Sequence, residues 1–93
     1  MKRFHYIVKG YVQGVGFRHR AARQAAALNL TGWVRNLPDG SVELEVQGDP
    51  DNIERLLPAI EQNSYGIDIT QVQDREIPVI SEEFGFDIRY YRY

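Results

Sequence analysis

Cysteine is absent from this 93-residue chain, and long hydrophobic runs are absent as well. Without cysteine there are no disulfides, no thiolate nucleophile and no cysteine metal ligands, which fits a reducing compartment. No apolar run approaches the roughly 20 residues that a membrane-spanning helix needs. Residues 1–6 carry basic side chains with no apolar stretch after them, so we expect no signal peptide. These absences together predict a cytoplasmic protein with no membrane partner.

An excess of positive charge is also missing, because 11 lysine and arginine residues face 13 aspartate and glutamate residues. The resulting formal net charge of −2 argues against nucleic-acid binding driven by bulk charge. Positive charge is instead local, since Arg18, Arg20, Arg23 and Arg35 lie on or near a glycine-rich segment. We interpret Arg20 and Arg23 as a solvated helix face. The length predicts a single domain over residues 1–93 with a small core.

The glycine-rich segment is Gly10-Tyr-Val-Gln-Gly-Val-Gly-Phe-Arg18, in which an apolar strand runs into glycines and then an arginine. Glycine tolerates φ > 0, so backbone N–H groups can converge on one point at a helix N-terminus and bind an anion. An arginine there adds a planar fork suited to phosphate oxygens. The alternative is a plain strand-to-helix turn that needs glycine. Residue 19 is histidine and no Gly-Lys-Ser/Thr follows, which excludes the dinucleotide and NTP-binding loops.

The first half of the chain alternates between strand and helix patterns. Residues 3–12 show period-two alternation, and from Phe17 the apolar residues follow helical spacing until Thr31-Gly32, which we expect to stop the helix. Residues 33–37 and 42–46 read as two strands joined by a Pro38-Asp39-Gly40 turn, so they predict a hairpin.

The second half begins with Gly48-Asp49-Pro50, where Asp49 suits a helix N-cap and Pro50 the first helical position. Pro58 lacks an N–H, so we expect a kink or an irregular last turn there. Residues 67–77 predict a fourth strand with a bulge near Gln71, and residues 84–90 a fifth. The predicted buried stripe of the second helix is Ile53, Leu56, Leu57 and Ile60.

This order of elements predicts an α+β, ferredoxin-like βαββαβ sandwich. We expect an antiparallel sheet with two helices on one face, plus a short fifth C-terminal strand or extension. The architecture alone does not assign a function, because it serves enzymes, RNA binders and ligand sensors alike.

Two stretches of the sequence closely resemble the acylphosphatase family. They are residues 10–18 and Gly32-Trp-Val-Arg-Asn36, the latter continuing through Asp39-Gly40-Ser-Val-Glu43, and the resemblance covers nearly the whole chain. The sequence departs from the family pattern at Asn29, where glycine is usual, at residues 63–69, and in the extension Tyr91-Arg92-Tyr93. These departures bear on the edge of the sheet rather than on the chemistry.

The resemblance implies a hydrolase of acyl phosphates that needs neither a metal nor a cofactor. It implies that Arg18 and Asn36 are catalytic: Arg18 would bind the substrate phosphate, and Asn36 would hold the attacking water. The backbone amides of Val15, Gly16, Phe17 and Arg18 would complete the phosphate site. We expect a monomer whose small-molecule partners are an acyl phosphate substrate and inorganic phosphate, as product and inhibitor.

Three other interpretations stay open from the sequence. A single-strand RNA-binding module would use exposed sheet aromatics, although the acidic balance and the missing aromatic RNP pattern count against it. A ligand-sensing domain of the same topology would need no Arg18–Asn36 pair. A module of a larger carbamoyl-transfer maturation enzyme would carry the same loop, whereas we expect the one domain alone. The resemblance assigns His5 and His19 no role, and two histidines without motif spacing do not make a metal site.

Overall fold

A computed structural model describes residues 1–90, and the extension Tyr91-Arg92-Tyr93 lies outside the described residues. The elements follow the predicted order. They are β1 (Lys2–Tyr11), α1 (Phe17–Ala27), β2 (Thr31–Asn36), β3 (Val42–Gly48), α2 (Pro50–Glu61), β4 (Asp68–Ile77) and β5 (Phe86–Arg89). Within the described residues, neither helix is long and apolar enough to cross a membrane.

The five strands form one sheet in the order β4-β1-β3-β2-β5. The pairs β1–β3, β1–β4 and β2–β3 are antiparallel, as predicted. The predicted short fifth strand is present as β5, for which no direction was predicted, and it pairs with β2 in parallel, with Val34 opposite Ile88. The reason is topological: β4 runs opposite to β1, the chain then reverses, and β5 reaches the free edge of β2 in the same direction as β2. The ferredoxin-like α+β sandwich therefore has a mixed sheet.

The core lies between the two helices and one face of the sheet, which we call the inner face. Every second strand residue points to this face, so alternate positions of β1, β2 and β3 are buried against the helices. Complete burial of a large aliphatic side chain stabilises the fold by about 1.5–3 kcal/mol. The buried strand residues are Val8, Val34, Val42, Leu44 and Val46, and the helix residues facing them are Phe17, Ala21, Ala25, Ile53, Leu56 and Ile60.

The first helix ends earlier than the sequence predicts. Helix α1 stops at Ala27, and Thr31-Gly32 belongs to β2. The chain reverses at Asn29, which has φ 56°, and the Leu30 N–H donates to the Ala25 carbonyl at 2.9 Å. Asparagine tolerates this left-handed conformation, so it can end the helix as a glycine at this position usually does. The departure from glycine at this position is thus compatible with the fold.

The second helix begins as predicted. The Asp49 side chain accepts from the Asp51 N–H at 2.9 Å, and Pro50 occupies the first turn. The helix continues through Pro58 to Glu61, with a hydrogen bond of 2.9 Å from the Gln62 N–H to the Pro58 carbonyl. The kink expected at Pro58 stays a prediction.

The predicted bulge in the fourth strand is confirmed. Lys9 pairs with Gln71 and Gly10 pairs with Ile69, so Thr70 is an extra residue on β4. The bulge brings the β4 backbone against Gly10, where a Cβ would stand 2.1 Å from the Asp68 carbonyl oxygen. Gly10 is therefore required by the close approach of two strands, not by a ligand.

Candidate functional site

The loop between β1 and α1, residues 12–16, is built around two glycines in left-handed conformations. Gly14 has φ 73° and Gly16 has φ 81°, and a Cβ on either would meet nothing within 4 Å. Conformation rather than space therefore selects glycine here. Gly16 caps α1, and the first helical bond runs from the Arg20 N–H to the Gly16 carbonyl at 3.1 Å. The backbone N–H groups before Arg20 have no partners inside the helix, and they lie at the positive end of its dipole.

Gln13 fastens this loop to the turn between β2 and β3, residues 37–41. Its side-chain Nε2 donates to the Leu37 carbonyl at 2.8 Å and to the Ser41 carbonyl at 2.7 Å. The turn is itself ordered, because Asp39 accepts from the Ser41 N–H at 2.9 Å and from its hydroxyl at 2.5 Å. These bonds from Ser41 lower the pKa of the Asp39 carboxyl below its ordinary value. The β1–α1 loop and the end of β2 are thus held together.

Asn36 is the last residue of β2 and precedes this turn. It pairs with Val42, and its side-chain Oδ1 is buried. It lies two residues beyond Val34, whose side chain is in the core, so both side chains point to the inner face. The amide of Asn36 is therefore on the side of the sheet where the β1–α1 loop and α1 lie.

Arg18 stands in the first turn of α1 and contacts the chain beyond β5. Its guanidinium carbon is 4.7 Å from the centre of the Tyr90 ring, a cation–π contact. Arg89 pairs with Arg35 in the parallel β2–β5 register, so Tyr90 and Asn36 are the next residues of neighbouring strands. The structure therefore brings Arg18, Asn36 and the β1–α1 loop to the same end of the sheet.

Sequence reasoning missed the roles of Gln13 and Tyr90. The position of Gln13 inside the glycine-rich segment was a signal that could have drawn attention to it. Tyr90 carries no local signal, because its contact with Arg18 depends on the parallel register of β5.

Arg20 corrects the prediction of a solvated helix face. Its guanidinium donates to the Ile60 carbonyl at 2.7 Å and to the Gln62 carbonyl at 2.6 Å, at the end of α2. The last carbonyls of a helix lack partners within it, and a cation there also interacts favourably with the negative end of the helix dipole. Arg20 therefore ties α1 to the end of α2, while Arg23 is exposed as expected.

His5 lies on the outer face of the sheet, opposite the helices. Its Nε2 is 2.7 Å from Glu43 Oε2, in a geometry where the ring N–H donates to the carboxylate, and Arg35 donates to the other oxygen. Burial would raise the pKa of the Glu43 carboxyl, but the hydrogen bonds and charges of His5 and Arg35 lower it overall. His19 is exposed in the first turn of α1, next to Arg18.

The outer face also carries Trp33 and a buried arginine. The Arg89 and Arg35 guanidinium carbons lie 4.5 Å and 5.6 Å from the centre of the Trp33 ring system, and Trp33 is only 8% exposed. Arg3 is 2% exposed and donates to Glu45 at 2.9 Å and to Glu83 at 2.7 Å. In the part of the chain that the structure describes, no three His, Asp or Glu side chains are placed to share a metal ion.

Comparisons with known proteins agree with one another. The acylphosphatase family model matches residues 4–88. An acylphosphatase from Methylococcus capsulatus is 48% identical over 88 residues, which cover 95% of this chain and 96% of that protein. The crystal structure of acylphosphatase from Bacillus subtilis has a TM-score of 0.87 at 32% identity, covering 97% of this chain and 100% of that one. HypF from T. kodakarensis matches with a TM-score of 0.82 at 32% identity, covering 100% of this chain but 12% of its own.

Proposed function

The chain belongs to the acylphosphatase family. From that premise we propose that it hydrolyses acyl phosphates to a carboxylate and inorganic phosphate at the end of the sheet that carries Arg18 and Asn36. One observation carries the proposal. The helix N-terminus that begins at Gly16, the Arg18 guanidinium and the Asn36 amide are gathered beside one loop by the Gln13 hydrogen bonds and the β2–β5 register.

Phosphate binding uses two kinds of positive group in this proposal. The phosphoryl oxygens accept hydrogen bonds from the backbone amides of Val15, Gly16, Phe17 and Arg18, at the positive end of α1. The Arg18 guanidinium binds two further lone pairs with its planar fork. Because these donors are preorganised, they stabilise the charge that spreads over the phosphoryl oxygens in the transition state.

The hydrolytic step needs a positioned water rather than a strong base. The Asn36 amide holds a water in line with the bond between phosphorus and the acyl oxygen. The water oxygen bonds to phosphorus as that bond breaks, the electron pair leaves with the carboxylate, and the water's proton passes to a phosphoryl oxygen. The carboxylate is a weak base and leaves without an acid, so the step requires no metal, cofactor or histidine.

The non-catalytic alternative is a ferredoxin-like module that binds RNA or a small ligand. An RNA-binding sheet needs aromatic rings free to stack on bases. Trp33 is covered by Arg89 and Arg35, so this ring is closed to a base as it stands. The absence of nucleic-acid partners, the monomeric state and the cytoplasmic location stay predictions.

The test is release of phosphate from acetyl phosphate and benzoyl phosphate in the presence of a chelator. We expect the wild-type protein to hydrolyse both and Arg18→Lys to lose most of the activity, since lysine keeps the charge but not the fork. Each charge-assisted bond lost is worth roughly 1.5–3 kcal/mol, which is about one to two orders of magnitude in rate. An Arg18→Lys variant within about twofold of wild type would show that Arg18 does not bind phosphate in this way.

A further inference from the structure

The α2–β4 loop, residues 62–67, borders the β1–α1 loop on the side away from Asn36. Gly66 lies so close to Val15 that a Cβ on it would be 3.1 Å from Val15 Cγ1. In the sheet order, β4 and β2 lie on opposite sides of β1, the strand from which the β1–α1 loop starts. The loop therefore has Asn36 on one side and Gly66, which follows Tyr65 in the chain, on the other.

The α2–β4 loop is held in place at both of its ends. At its start, Arg20 donates to the Gln62 carbonyl at 2.6 Å, and the Ser64 hydroxyl donates to the Glu61 carbonyl at 2.8 Å. After its end, the Ile69 N–H donates to the Glu61 carboxylate at 2.8 Å. The backbone that carries Tyr65 is thus anchored to α1 and α2, while the Tyr65 side chain is 99% exposed.

In-line displacement at phosphorus decides which side the acyl group occupies. The attacking water and the leaving oxygen lie on opposite sides of the phosphorus atom. If Asn36 holds the water, the leaving acyl oxygen points away from β2 and toward Val15 and the α2–β4 loop. The acyl carbon chain continues from that oxygen past the Val15 side chain.

We propose that Val15 and Tyr65 contact the acyl group of the substrate and give the enzyme its selectivity for bulky or aromatic acyl phosphates. This inference rests on the proposed hydrolysis and adds the acyl side of the site to it. A ring that is 99% exposed contributes little to the core. Tyr65 directly precedes Gly66, the residue that approaches Val15, so its free ring is available to an aromatic acyl group that passes Val15. Acetyl phosphate carries only a methyl group and offers no ring to stack, so it serves as the comparison substrate.

The experiment compares benzoyl phosphate with acetyl phosphate for wild type, Tyr65→Ala and Tyr65→Phe. An aromatic contact of ordinary strength predicts that Tyr65→Ala raises KM for benzoyl phosphate roughly two- to tenfold. KM for acetyl phosphate and inhibition by inorganic phosphate stay within about twofold, and Tyr65→Phe retains the wild-type KM for benzoyl phosphate. The matched control is Phe84→Ala, which removes a 90% exposed ring that precedes β5 at the opposite end of the sheet. We expect this variant to keep the wild-type KM for both substrates.

Three outcomes would overturn the inference. Equal effects of Tyr65→Ala on both substrates and on phosphate inhibition would make the loop a general structural support. An unchanged KM for benzoyl phosphate would remove Tyr65 from the site while leaving the hydrolytic proposal intact. A wild-type protein that hydrolyses neither substrate would refute the proposed function, and this inference would fall with it.

Discussion

Replacing Gln13 with alanine tests whether the β1–α1 loop must be fastened to β2 for the site to work. The Gln13 amide donates two hydrogen bonds, to the Leu37 and Ser41 carbonyls. A typical intramolecular hydrogen bond contributes about 0.5–1.5 kcal/mol net, so the pair contributes roughly 1–3 kcal/mol. Both carbonyls keep a backbone donor after the substitution, from Gly40 at 3.2 Å and Leu37 at 2.9 Å respectively. Neither is left unsatisfied, which puts the expected loss at about 1–2 kcal/mol.

Two measurements follow from that estimate. At about 4–8 °C per kcal/mol for a domain of this size, Tm falls by roughly 4–16 °C in thermal unfolding followed by circular dichroism. The loop also loses its fixed position relative to Asn36, and a misplacement of about 1 Å can cost on the order of a hundredfold in rate. We therefore expect kcat for acetyl phosphate to fall about ten- to a hundredfold. Gln13→Glu loses more, because it turns a carboxylate toward two carbonyl oxygens.

The control is Gln73→Ala, an exposed glutamine on β4 that pairs with Ile7, farther from the loop than the Thr70 bulge, and it leaves both Tm and kcat near wild type. A Gln13→Ala variant with wild-type Tm and kcat would refute the whole argument. A lower Tm with an unchanged kcat would refute the positioning half, since the hydrogen bonds would then serve the fold alone.

Four further outcomes are expected. Inorganic phosphate at about 100 times its dissociation constant should stabilise the fold by roughly 2.7 kcal/mol, and Arg18→Ala should abolish this gain in a thermal shift titration. Asn36→Ala should lower kcat about a hundredfold or more in steady-state assays, whereas a raised KM at constant kcat would make Asn36 a binding residue. His19→Ala should keep most of the activity, and a loss as severe as that of Arg18→Ala, with phosphate still bound, would show that a protein base is used. The lowered pKa of Glu43 contributes stability that is present above its ordinary value of about 4.3 and is lost as pH falls through the folded pKa, so unfolding free energies measured from pH 7 to 3 should decline less for Glu43→Gln.

Local signals in the sequence determined the elements of this protein and the identity of its loop. Alternation at period two and apolar spacing near 3.6 are imposed by the geometry of single strands and helices, so they can be read along the chain. Asp49 and Pro50 predicted the start of α2, because helix capping involves only neighbouring residues. Gly14 and Gly16 predicted the loop for the same reason, since a positive φ is a property of a single residue.

Only the tertiary structure decided which distant groups meet. The parallel pairing of β5 with β2 places Tyr90 against Arg18. Arg20 donates to the Gln62 carbonyl at the end of α2, 42 residues away in the sequence. Gln13 reaches carbonyls 24 and 28 residues away, and Val15 meets Gly66 through the placement of the α2–β4 loop. No periodicity encodes such contacts, because they depend on strand order and direction. Those are settled by how the whole chain buries its apolar face.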